Sequence, residues 1–120
     1  MAEHICTGQC AHTITLDGPV VYGVLAEVLD ERRRQDAKWG EQNHPDGTAR
    51  NGWADRELAD VSRRLCQDAA GLGLVTWRHI LDEEMREVFA EEDPAKLRAE
   101  LLQVAAVAVA WVEAIDRRQP

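Results

Sequence analysis

The sequence predicts an all-α fold, a four-helix-bundle-like arrangement, on two observations. Four segments carry apolar residues at spacings of three and four, and Gly, Pro and turn-forming clusters divide them. No segment reads as a strand, and there is neither an internal repeat nor a low-complexity tract. At 120 residues the chain has the size of one ordinary domain. The expected organisation is a flexible N-terminal extension over residues 1–17 and a helical domain over 18–120.

The first helix is expected from Val20 to about Lys38, on the stripe Val21, Val24, Leu25, Val28 and Leu29. Asp17 can cap it, Pro19 suits an early helical position and Gly40 stops it. Glu41 to Gly52 holds Pro45, Asp46-Gly47 and Asn51-Gly52 without an apolar period, so it is expected to be a loop. A second helix follows over Trp53 to Ala70, with Trp53, Leu58, Val61 and Leu65 inward and Gly71 and Gly73 ending it. Thr76 then caps a third, Trp77 to Ala90, whose apolar residues are Ile80, Leu81, Met85, Val88 and Phe89. Asp93-Pro94 supplies both a break and the next start. The fourth, Pro94 to about Arg117, is apolar almost all round between Leu101 and Val112, as befits a central helix or a subunit interface.

A net charge of −8 argues against nucleic acid and anionic membrane surfaces as partners, because both need clustered Lys and Arg. A small anionic ligand stays compatible with that charge if carboxylates hold a divalent cation. Leu101 to Val112 is shorter than the roughly 20 residues that span a bilayer. Three cysteines and no secretory leader pattern point to a reducing cytoplasm, with Cys66 a buried helix residue. His4, Cys6, Cys10 and His12 are competent zinc ligands, but their spacing is not that of a finger and no second pair supports them. They read as an N-terminal tail carrying such residues by accident.

Carboxylates supply the chemistry. On the third helix Glu84 and Glu87 stand three apart on one face, and Glu84 sits one turn from both Leu81 and Val88, inside the stripe that faces the core. A carboxylate there needs a partner. On the fourth, Glu100 and Gln103 are again three apart among Leu97, Leu101 and Val104. A short link makes the two helices antiparallel neighbours, so the four side chains can converge, and convergent hard oxygens suit magnesium or manganese. ExxE spacing by itself is usually a solvated face; the inward position of Glu84 and the second pair set this one apart. A purely structural account would instead satisfy Glu84 and Glu100 with Arg86 and Arg98.

The pattern EEMRE at Glu83 to Glu87, then ELLQ at Glu100 to Gln103, resembles the EExxE and ExxD motifs of the all-alpha nucleoside triphosphate pyrophosphohydrolases, MazG-like proteins among them. The segment ERRRQDAKWGEQNHPDG, from Glu31 to Gly47, is similar to the first helix and loop of small MazG-like members, and AVAVAWVEAIDRR to their last helix. The resemblance spans about Val20 to Arg118. It implies hydrolysis of a nucleoside triphosphate to monophosphate and pyrophosphate with magnesium; the apolar helix surfaces add the expectation of a homo-oligomer, dimer or tetramer. Carried over by position, it implies metal ligation by Glu84, Glu87 and Glu100, with Gln103 standing where the wider family has Asp. Glu83, with Glu84, is then expected to serve catalysis by taking a proton from water. Lys38 is the expected phosphate contact, and Trp39 either stacks on a base or anchors its loop. The amide at Gln103 keeps open an alternative, a non-catalytic nucleotide- or partner-binding protein on the same scaffold. Arg32, Arg33 and Arg34 point in different directions and are expected in solvent, and His44 on the loop surface.

Overall fold

The structure is a computed structural model, and its described residues are 19–118, with side chains from residue 23 onward. Within them the chain forms four helices and no strand: α1 (Pro19–Trp39), α2 (Trp53–Gly71), α3 (Trp77–Ala90) and α4 (Pro94–Arg118). None of these helices is long and apolar enough to cross a membrane. The expected cap at Asp17 and the His and Cys set at residues 4–12 lie outside the described residues.

Local chemistry accounts for the boundaries. Gly40, at φ +67°, turns the chain out of α1 while its N–H still donates to the Asp36 carbonyl at 2.7 Å. Gly73, at φ +72°, closes α2 in a Schellman arrangement: Leu74 N–H donates to the Ala69 carbonyl at 2.8 Å and Gly73 N–H to Ala70 at 3.1 Å. Thr76 opens α3 with a reciprocal cap, its hydroxyl accepting from His79 N–H and the His79 ring accepting from Thr76 N–H. At the start of α4 the Asp93 carboxylate accepts from Lys96 N–H at 3.0 Å.

The described chain divides into two units. One is Gly47–Ala108, holding α2, α3 and the first part of α4; the other consists of residues 19–46 and 109–118. In the first unit α2 packs against α3 through small buried residues, Ala59, Ser62 and Cys66. Ser62 Oγ donates to Asp82 Oδ2 across that contact at 2.8 Å. Cys66, Ile80 and Val107 form a core with Val75, Trp77 and Leu81 packed around it. Cys66 is fully buried, as expected.

Burial differs from expectation on all four helices. On α2, Trp53 (79 % exposed), Leu58 and Leu65 (56 % exposed) face solvent in the single chain, and the inward face is the small one. Small side chains let two helices approach closely, and large ones would hold them apart. Phe89 on α3 is exposed too, although Ile80 and Val88 are buried as expected. On α4, Leu97 and Val107 are buried while Leu101, Leu102 (57 % exposed) and Val112 are not.

In the second unit α1 buries Val24 and exposes Leu25, Val28 and Leu29. Arg33 and Arg34 pair with Asp30 and Glu31 one turn earlier and Arg32 donates to Gln35, all on the solvated surface as expected. His44 is exposed and lies 3.1 Å from Gln42 Oε1.

Candidate metal centre

The buried stripe of α3 runs Ile80, Glu84, Val88, with Glu83 beside it. Helical geometry therefore carries a carboxylate into the interior at the place where an apolar residue is the ordinary occupant. Glu84 is 0 % exposed, and among the described residues neither of its carboxyl oxygens has a hydrogen-bond partner. One turn on, Glu87 lies half-buried; from α4 comes Glu100, whose Oε2 is buried and unpartnered. One oxygen from each of Glu84, Glu87 and Glu100 lies within 4.8 Å of the others. Gln103 Oε1, one turn beyond Glu100, is also buried. The link between the two helices is only Glu91 to Asp93, and the Glu91 carboxylate stiffens it by accepting from Glu92 N–H at 3.1 Å and Asp93 N–H at 3.0 Å.

Electrostatics in the cluster are those of like charges out of water. Burial, and then the neighbouring charges of Glu87, Glu100 and Glu83, push the Glu84 carboxyl up to about 8. Burial and the Glu87 charge raise Glu83 to about 7, against the opposing pull of Arg63. Glu100 is raised by burial, by the Glu87 charge and by a hydrogen bond with that same carboxyl. Isolated ionised carboxylates in such a place are costly unless a cation compensates them.

The expected structural partners do not serve. Arg86 reaches Asp82 at 3.5 Å, a surface pair one turn away, and Arg98 is exposed. Among the described residues the cation bonded to the cluster is instead Arg63 of α2, which donates to Glu87 Oε1 at 3.2 Å and to Asp60 Oδ1 at 3.0 Å. Sequence reasoning missed it. A signal existed, since Arg56, Ala59, Asp60 and Arg63 share one face of α2, but which helix that face meets depends on tertiary register. Beside the cluster opens a cleft of about 500 Å³ lined by Arg56, Asp60, Arg63, Glu87, Glu91, Glu92 and Glu100.

The structure thus brings together Glu84, Glu87 and Glu100, with Glu83 and Gln103 on the same two helices. Lys38 and Trp39 belong to the other unit, where the Lys38 ammonium stands 4.8 Å over the Trp39 ring and the indole is 58 % exposed.

The three clustered carboxylates, from two helices, fit a hard divalent cation, the most buried of them having no hydrogen-bond partner among the described residues for either oxygen. Compared with known proteins, the chain matches no family model, no curated protein and no solved structure.

Proposed function

We propose that the chain is a metal-dependent nucleoside triphosphate pyrophosphohydrolase of MazG-like type, releasing nucleoside monophosphate and pyrophosphate. The observation that carries this reading is Glu84, a fully buried carboxylate with two unsatisfied oxygens, pointing with Glu87 and Glu100 at one position. Glu84, Glu87 and Glu100 hold magnesium, or manganese, and Gln103 adds a neutral oxygen. The cation, when bound, supplies charge to phosphate oxygens and lowers the pKa of an attacking water. Glu83, next to Glu84 on α3, would accept that water's proton. The water oxygen joins the α phosphate, the α–β phosphoanhydride bond breaks, and its electron pair leaves with pyrophosphate. The apolar surfaces left bare on α2 and α4 support assembly as a homo-oligomer of bundle-like protomers.

The test is pyrophosphate release from a panel of canonical and modified nucleoside triphosphates with magnesium or manganese, beside a folded Glu84→Gln variant. Turnover in the wild type and its loss in the variant are expected. A wild type that releases no pyrophosphate with either metal would move the reading to its alternative, a nucleotide- or partner-binding protein on the same scaffold. Gln103 favours that alternative, because an amide ligand brings no charge to the cation.

A further inference from the structure

Arg63 is committed to two carboxylates of different standing. Asp60 is its neighbour one turn away on α2, with a side chain 45 % exposed, whereas the Glu87 side chain is 15 % exposed and belongs to the cluster on α3. The guanidinium therefore supplies compensating charge to one of the three clustered carboxylates, while the oxygens of Glu84 find no donor among the described residues. A divalent cation seated among all three competes with Arg63 for Glu87, and an ion pair this exposed on its cationic side is weak enough to yield. The guanidinium released in this way already lines the cleft, as does Arg56 two turns earlier on the same face of α2. Glu91 and Glu92 on the cleft wall repel an anion, so a phosphate enters favourably only after cations are in place.

We propose that Arg63 is a displaceable counter-ion: Glu87 holds it until a divalent cation binds, and the freed guanidinium then turns into the cleft to grip a phosphate of the anionic ligand. This rests on the pyrophosphohydrolase reading of the site and deepens it, adding a phosphate contact on α2 and an order, cation before anion. Arg63 is suited to both states, because its planar fork pairs with carboxylate and phosphate alike. Asp60 keeps the side chain tethered during the exchange.

The experiment titrates Mn2+ into the metal-free wild type, Arg63→Gln and Arg63→Lys, and then titrates magnesium tripolyphosphate into each protein with magnesium present. Helical circular dichroism establishes that each is folded. Removing the competitor should tighten Mn2+ binding about fivefold in Arg63→Gln. The same variant should bind magnesium tripolyphosphate about tenfold more weakly. Arg63→Lys keeps the charge but loses the fork, so its Mn2+ affinity should stay near wild type while tripolyphosphate binding weakens; it carries the test if Arg63→Gln does not fold. Unchanged or weaker Mn2+ binding in Arg63→Gln overturns the displacement, although the metal site itself would stand. Tighter Mn2+ with undiminished tripolyphosphate binding overturns the phosphate grip. Absence of Mn2+ binding in the wild type overturns both this inference and the metal reading beneath it.

Discussion

Glu84 has given up water on all sides without gaining a hydrogen bond from any described residue, so in the absence of a cation it weakens the fold. Replacing it by an apolar side chain of similar length removes that cost. Glu84→Met is therefore expected to stabilise the metal-free protein by about 1–3 kcal/mol, seen as a raised melting temperature, while abolishing any further rise on adding magnesium. A metal-free melt in which Glu84→Met is less stable than wild type would mean that the carboxyl is satisfied after all. The pH dependence has a definite sign. With Glu84 at about 8 and Glu83 at about 7 in the folded protein, the native state keeps protons that the unfolded chain, near the ordinary 4.5, has released. Metal-free stability should thus be greatest near pH 5 and fall as the pH rises toward 8. Saturating magnesium should flatten this slope in melts taken across that range. The inward position of Glu84 could be read from its place between Leu81 and Val88, because helical period alone decides it. Arg63 could not, because the pair it makes with Glu87 crosses between helices.

Helix ends were legible for the same local reason that Glu84 was. Gly40, Gly73, Thr76 and Asp93 each satisfy or turn the terminal backbone within a few residues, and no tertiary information is needed. Thr76→Ala should accordingly cost about 1 kcal/mol in a denaturant titration, because it strips one half of the reciprocal cap from α3. Ala49 tests the opposite case. It stands at φ +56°, where a side chain is strained, and its N–H donates to the Phe89 carbonyl at 2.7 Å, tying the loop before α2 to the end of α3. Ala49→Gly should preserve that bond and stabilise the protein by about 0.5–1 kcal/mol; loss of stability would show that the loop holds Ala49 without strain. Less legible was the buried side of α2. Apolar size favoured Leu58 and Leu65, yet close packing on α3 selected Ala59, Ser62 and Cys66, a choice between two faces that the helical period alone leaves open.

The faces that a single chain leaves bare bear on assembly. Within the unit Gly47–Ala108, Leu58 and Leu65 on α2 and Leu101 and Leu102 on α4 are all exposed, and the two α4 leucines continue into exposed Ala105, Ala106 and Ala108. Scattered apolar side chains are ordinary on a protein surface, but a run on one helix with no charged residue between Leu101 and Val112 is not. The apolar character of α4 was legible; what it packs against was not, since periodicity cannot distinguish burial in a chain's own core from burial against another copy. If other copies cover this surface, Leu102→Glu places a charge in the contact and should shift the protein toward monomer in sedimentation velocity while leaving its helical circular dichroism unchanged. The substitution is a clean probe because Leu102 is already 57 % exposed within one chain, so a charge there disturbs no core. A wild type that sediments as monomer at every concentration tested would show that copies of this chain do not cover the α4 surface. An oligomer unaffected by the change would place its interface elsewhere on the molecule.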